Sequence, residues 1–348
     1  MKVVAYSVRN FEKELIAKAN QKKHDITLIS NSLNLQTAIY AKEKDAVIVF
    51  TNDDVSEPVI NKLADMGIRY VATRSAGTDH IDAKAAGKRN IKIANVPAYS
   101  PEAIAEYAVT LALVLSRKVI PTIDQTRAFD FRIDQHVGFN LFGKTVGIIG
   151  LGQIGKAAAK IFQGFSCKVL GVDPQVRDLK GVRMVDLDTL YTESDIISLH
   201  VPLNENTRYL INKESFFKMK AGVMLINTST GAVIKTDDLI EALESKQIGS
   251  LGLDVYEFEK GLFFFDHSDD TNIDPLLKKL MSFPNVIISP HQAFLTKEAL
   301  QEIASKTIAN LDNWQENKCV GKACICANKC DLIPGHKNGH VHNVFQPK

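Results

Sequence analysis

The amino-acid sequence predicts an α/β protein made of two doubly wound parallel-sheet domains, and three observations carry the prediction. Short apolar runs alternate with amphipathic stretches long enough to be helices, the pattern of parallel strands joined by crossover helices. One helix that is apolar nearly all round interrupts this series, and a second series follows it. The 348 residues are enough for about two domains with a sizeable core. The expected boundaries place residues 1–99 and 295–348 in one discontinuous domain, with a cysteine-rich tail at 317–348, and residues 100–294 in the other.

The first series reads VVAYSV, ITLIS, AVIVF, RYVATRS and IKIANV, separated by helix-length segments such as FEKELIAKANQKK. In NVPAYSPEAIAEYAVTLALVLSRKV, Ser100 supplies an N-cap and Pro101 suits the first helical turn. The helix that follows is apolar on nearly every face through Leu115, so it must be covered on several sides. A domain junction, a subunit contact and a central position inside one domain all meet that demand. The second series runs KTVGIIGLGQIG, KVLGVD, DIISLHV, GVMLINT, SLGLDV and NVIISPH, ending near residue 294. FLTKEALQEIASKTIANLDNWQE then has apolar residues at helical spacing and is expected to cross back to the first domain, with Trp314 packing that crossing.

Composition narrows the partners. The 42 basic and 40 acidic residues leave a formal charge of +2, which gives no general field for nucleic acid or an anionic membrane, so a small molecule is expected. MKVVAYSV reads as a first strand and no run approaches a membrane span, so a cytoplasmic protein is expected. Cys167 reads as a small buried apolar residue. The other four cysteines, Cys319, Cys324, Cys326 and Cys330, crowd into the tail ahead of His336, His340 and His342. Their spacing lacks the paired C-x2-C of common zinc sites, so metal binding and a solvated tail with redox-sensitive thiols both stay open.

The strongest local motif is GLGQIG, Gly150 to Gly155, between the strand run TVGII and the helix-like KAAAKIFQGF. The first glycine permits a tight turn, Gly152 lets backbone approach a pyrophosphate, and Gly155 allows close helix packing. Gln153 and Ile154 open the helix whose N-terminus faces the phosphates. Asp173, at the end of the next strand run, can accept bonds from ribose hydroxyls. It would repel a 2′-phosphate, so NAD is expected over NADP, with Arg177 nearby as the feature that keeps NADP open.

Three chemically capable residues, Thr230, Glu259 and His291, each follow a predicted strand of the second series, where ligands gather in open parallel sheets. Together GLGQIG, LHVPLNENT, GVMLINTSTGAV, GSLGLDVYEFE and SPHQAFLT resemble the D-isomer-specific 2-hydroxyacid dehydrogenases, and LFFFDHSDD with HQAFLTKEAL is similar to their fermentative D-lactate dehydrogenase branch. The likeness spans residues 1 to 315. It implies a flavodoxin-like substrate domain, a Rossmann NAD domain, reaction in the cleft between them and a homodimer built around the helix after Ser100. It further implies hydride transfer between a nicotinamide and a 2-oxo or 2-hydroxy acid, with His291 delivering the proton and Glu259 pairing with it. By the same resemblance, Asp254 touches the nicotinamide carboxamide, while His200, Val201, Pro202 and Thr228 line the cofactor side. Ala76 and Gly77 offer backbone amides to the substrate carboxylate, Tyr99 is a neighbouring contact and Phe294 walls the pocket.

Thr230 departs from the pattern, which has an arginine there to bind the carboxylate and polarise the carbonyl. Losing such a contact costs about 2.7–4 kcal/mol in the transition state, taking an oxyanion donor as yardstick. An inactive relative, compensation by Arg74, His80 or Lys235, and a substrate that needs no clamp are all consistent with the sequence. An NAD(H)-binding regulatory protein with weak or no catalysis and a dehydrogenase for a different 2-oxo acid are therefore the alternatives to a D-lactate dehydrogenase.

Overall fold

The computed structural model describes residues 1–326. It forms two compact units, one of residues 1–100 with 295–326 and the other of Pro101–Phe294. No helix among the described residues is long and apolar enough to cross a membrane.

The first unit contains β1 (Lys2–Ala5), α1 (Asn10–Asn20), β2 (Asp25–Leu28), β3 (Ala46–Val49), α2 (Glu57–Asp65), β4 (Tyr70–Thr73), α3 (Ala83–Lys88) and β5 (Lys92–Ala94). All pairings are parallel, in the order β2-β1-β3-β4-β5, the flavodoxin-like arrangement. β3 and β4 are buried at every position because helices cover both faces, which is why their sequences read as unbroken apolar runs. Val4, Val47, Val71 and Ile93 pack to one side with residues of α2 and α3. Val3, Ala5, Ile48, Ala72 and Ala94 pack to the other, against Ala304, Ile308 and Leu311 of the helix Lys297–Gln315. Trp314 of that helix stacks on Tyr70 with ring centroids 4.9 Å apart.

The segment after this helix covers the open edge of β5. Ala94 and Cys324 form an antiparallel bridge, Asn95 N donates to Ala323 O (3.0 Å) and Ile325 N to Ile93 O (3.2 Å). Cys326 Sγ accepts from Ile93 N at 3.3 Å, so this thiol serves the edge as well. Cys319, Cys324 and Cys326 lie in this part of the chain, whereas Cys330, His336, His340 and His342 lie outside the described residues. Among the described residues no group of three or more His, Cys, Asp or Glu side chains is placed to hold a metal ion.

Arg74 is a structural ion, 1% exposed. Its Nε donates to Glu12 Oε1 (2.9 Å) and its terminal nitrogens donate to the carbonyls of Tyr6 and Ser7 (3.1 and 3.2 Å). Breaking such a buried pair costs about 3–5 kcal/mol, so Arg74 is committed to the first unit and compensates for nothing elsewhere.

The second unit opens with α4 (Pro101–Ser116) and α5 (Val119–Arg127). It continues through β6 (Thr145–Ile149), α6 (Gln153–Gly164), β7 (Lys168–Val172), β8 (Val182–Met184), α7 (Leu187–Glu193) and β9 (Ile196–Leu199). It closes with α8 (Lys213–Lys218), β10 (Val223–Asn227), α9 (Thr236–Glu244), β11 (Ile248–Leu253), α10 (Pro275–Met281) and β12 (Val286–Ile288). The seven parallel strands are ordered β12-β11-β10-β9-β6-β7-β8, so the order reverses between β6 and β9. A crevice for a dinucleotide opens at the carboxyl ends of the strands at such a reversal. The all-apolar α4 is covered within this unit, packing on α6, α5 and the strands β10, β11 and β12. Its Ala105, Ala108 and Ala112 are fully buried. Ile104, Tyr107, Leu113 and Val114 of the same helix stay partly exposed.

Candidate active site

The glycine turn sits at the sheet's reversal point. Gly150 follows β6 with φ +93°, a left-handed conformation, and a Cβ there would lie 2.4 Å from His200 O, which follows β9. Gly155 is as constrained, since its Cβ would stand 1.9 Å from Gly150 O. In contrast a Cβ on Gly152, the residue capping α6, meets nothing within 4 Å, so the backbone there borders open space. Asp173 follows β7 with one carboxylate oxygen accepting from Leu151 N (2.7 Å) and the other from Gln175 N and Val176 N (2.7 and 3.0 Å). Three amides therefore hold an acid beside the turn.

Two buried polar atoms just past the paired strands β9 and β10 have no partner, His200 Nδ1 and Thr228 Oγ1. His200 Nε2 lies 2.9 Å from Ser198 Oγ, and burial pulls the imidazole down to about 4, which keeps it neutral. Leaving a buried polar atom unpaired costs about 1–3 kcal/mol, a cost that a bound polar ligand offsets. The open backbone at Gly152, the fixed Asp173 and the two orphaned atoms all suit a dinucleotide with ribose hydroxyls and a polar ring substituent. Val201 is buried with its Cγ1 against the Gly150 turn, and Pro202 O accepts from Thr207 Oγ1, which pins that loop.

The three successive strands β10, β11 and β12 end side by side and deliver the reactive residues. His291 Nδ1 lies 2.7 Å from Glu259 Oε1, with the two side chains 27% and 26% exposed. A carboxylate can only accept, so Nδ1 carries the hydrogen and Nε2 is the nitrogen left for substrate. Burial is the largest single influence on His291 and pulls its pKa down. The Glu259 hydrogen bond, the Glu259 charge and the charge of Asp254 together outweigh it, so the imidazole sits above its ordinary value. His291 holds a left-handed backbone (φ 54°), and its N donates to Asp254 O at 2.8 Å.

Asp254 organises this loop. It is 1% exposed, and it accepts from Ser289 Oγ (2.6 Å), Gln292 N (2.9 Å) and Ala293 N (2.8 Å). Burial raises its pKa although these bonds act the other way. Phe264, which sequence reasoning did not single out, tilts against His291 at 5.8 Å between ring centres.

Glu257, the first acid of YEFE, is another residue that reading missed. It accepts from Tyr209 Oη (2.5 Å) and Thr236 N (2.9 Å), while Glu259 takes His291 and its own Oε2 accepts from Tyr256 N (2.9 Å). Nothing in the spacing of two acids two residues apart separates these jobs; the partners do. Thr230 stands on the neighbouring loop in extended backbone (φ −143°), with its O accepting from Asn227 Nδ2 at 3.0 Å. Gly231 presses on the Glu259 turn, since a Cβ there would lie 2.1 Å from the carbonyl carbon of Tyr256. Lys235 does not stand in for a missing cation, because its Nζ is paired with Asp238 Oδ1 at 2.9 Å.

The remaining residues lie in or beside the first unit. Ala76 and Gly77 are exposed in the loop after β4, where Asn95 Nδ2 donates to Ala76 O (2.9 Å) and Ser75 Oγ to Gly77 O (2.7 Å). Tyr99 is half-buried just before the unit boundary, and His80 Nε2 lies 3.3 Å from Thr73 Oγ1. Phe294, half-buried, ends the second unit.

Comparison with known proteins places this geometry. Residues 109–293 match the family model for the D-isomer specific 2-hydroxyacid dehydrogenase, NAD binding domain. A D-lactate dehydrogenase from Curvularia clavata is 42% identical over 93% of this chain and 95% of its own. The pyruvate reductase of Chlamydomonas reinhardtii superposes with a TM-score of 0.86 at 39% identity, covering 92% of this chain and 98% of its own. The D-lactate dehydrogenase of Aquifex aeolicus, solved with NAD and lactic acid, gives 0.84 at 30% identity over 94% and 99%.

Proposed function

The chain belongs to the D-isomer-specific 2-hydroxyacid dehydrogenase family and is an NAD-dependent oxidoreductase, and we propose that it interconverts pyruvate and D-lactate, with turnover held down by Thr230. The observation that carries the reading is the 2.7 Å pair of His291 and Glu259 beside a dinucleotide cradle. Gly150, Gly152 and Gly155 frame the cradle that would hold NADH, and bound there it would supply a hydride to the carbonyl carbon. His291 donates the proton to the carbonyl oxygen from Nε2, and Glu259 favours the imidazolium and fixes the ring. Gly150, Gly152, Gln153, Ile154 and Gly155 would hold the pyrophosphate and Asp173 the ribose. His200, Val201, Pro202, Thr228 and Asp254 would border the nicotinamide, and Ala76, Gly77, Tyr99 and Phe294 the substrate.

The test is NADH absorbance with pyruvate followed by chiral analysis of the product. Slow NADH consumption and D-lactate are expected; L-lactate would sink the assignment. Tight NADH binding with no 2-oxo acid consumed would instead establish an NAD(H)-binding regulatory protein, the second reading that Thr230 favours.

A homodimer and a cytoplasmic location complete the proposal, the latter resting on Cys167, a buried thiol whose Sγ donates to Leu141 O. For the dimer, the support is a run in the second unit in which Phe129, Phe131, Ile133, Val137 and Phe142 are 70–85% exposed. Such a patch on one segment marks an interaction surface. A dimer is expected by light scattering, and Phe131→Glu with Phe142→Glu is expected to yield a folded monomer. A monomeric natural protein would count against this.

A further inference from the structure

We propose that this site reduces uncharged 2-oxo compounds, the 2-oxo amides and their like, at least as efficiently as the corresponding 2-oxo acids. The inference rests on the dehydrogenase reading and specifies its substrate class. It begins from the charges on the three loops after β10, β11 and β12, residues 228–235, 254–262 and 289–294. They carry the carboxylates of Asp254, Glu257 and Glu259 against two lysines and His291.

Of the two lysines, one is already paired and the other stands in water. Lys235 is turned to Asp238, and Lys260 is an exposed residue of the turn beyond Glu259. Thr230 offers a neutral hydroxyl. Arg208, on an adjoining segment, lies over the Tyr209 ring at 4.5 Å and donates to Tyr209 Oη (2.9 Å), which in turn donates to Glu257. In the first unit, Arg74 is buried against Glu12.

Among the described residues of these three loops the cation nearest the reacting atoms is the His291 imidazolium, and Glu259 at 2.7 Å already neutralises it, so a substrate carboxylate finds no unpaired cation there and its desolvation goes uncompensated. A carboxamide of the same shape loses less on leaving water and can both donate and accept there. The proton-delivering pair does not depend on the substrate's charge. In the reaction one hydride adds to the ketone carbon, the carbonyl π pair moves to oxygen and that oxygen takes the proton from His291 Nε2. The ketone is reduced to a secondary alcohol, NADH is oxidised to NAD⁺, and solvent returns the proton to His291.

The experiment compares pyruvate with pyruvamide in the NADH absorbance assay, for the natural protein and for Thr230→Arg. The natural protein is expected to show kcat/KM for pyruvamide equal to or above that for pyruvate, and Thr230→Arg to reverse the order. A preference of the natural protein for pyruvate overturns the inference and leaves the dehydrogenase reading standing. Reduction of neither compound overturns both. A second arm needs no turnover: calorimetric binding of oxamate, the unreactive anion shaped like pyruvate, to the NADH complex. It is expected to be about 100-fold or more tighter in Thr230→Arg, with NADH affinity the same in both proteins. Equal oxamate affinities overturn the inference.

Discussion

Replacing Thr230 with arginine is expected to raise kcat/KM for pyruvate about 100- to 1000-fold while leaving the dissociation constant for NADH unchanged. The size follows from a single charge-assisted donor aimed at charge that grows during reaction, worth about 2.7–4 kcal/mol in the transition state. Position 230 can host it. The backbone there is extended and is held by Asn227, and Gly231 seats the turn against the Tyr256–Glu257 peptide, so a longer side chain starts from a fixed point. The acids nearby also favour an arginine electrostatically. Part of the gain should appear as a lower KM, because a carboxylate is bound before reaction, and part as a higher kcat if the guanidinium also polarises the carbonyl. The measurement is steady-state kinetics for pyruvate beside NADH binding. Equal efficiencies for the two proteins would mean that position 230 does not meet the substrate.

Much of this was legible in the chain. The parallel strands read as unbroken apolar runs because helices cover both faces, and β3 and β4 show that burial at every position. GLGQIG was legible because two of its glycines answer a local steric demand, at Gly150 a left-handed turn and at Gly155 contact with the Gly150 carbonyl, while Gly152 borders open space. What local pattern could not carry was partnership. An apolar circumference announces that α4 must be covered but not by what, and α6 with the sheet supplies the cover. A run of apolar residues that stay in water, Phe129 to Phe142, falls instead on the stretch after α5, where no period marks them out. Arg74, Lys235 and Lys260 are alike as cations in a sequence. Only the buried Glu12 and the neighbouring Asp238 show that two of them are already paired. For the same reason Glu257 was indistinguishable from Glu259 until Tyr209 and Thr236 were seen to claim it.

The second large effect belongs to His291 and Glu259, and it separates a proton donor from the group that poises it. His291→Gln is expected to lower kcat for 2-oxo acid reduction about 100- to 10,000-fold, the range lost when a positioned acid is removed, without weakening NADH binding. No pH should rescue it, because glutamine has no proton to give. Glu259→Gln should behave differently. In the natural site the imidazole sits above its ordinary pKa because the hydrogen bond and charge of Glu259, with Asp254, outweigh a burial effect that by itself pulls it down. Reduction needs the protonated ring, so kcat/KM is level at low pH and falls as pH rises through that raised value. With Glu259 neutralised, burial is opposed by Asp254 alone, and the falling limb moves to lower pH. The variant should therefore be most impaired near neutrality and recover part of its rate in acid. Oxidation of the hydroxy acid needs the neutral ring, so its rising limb should shift the same way. Thr230→Arg is the background for these measurements, since its larger signal lets the limb be located. A midpoint that stays in place when Glu259 becomes glutamine would show that this carboxylate does not set the protonation of His291.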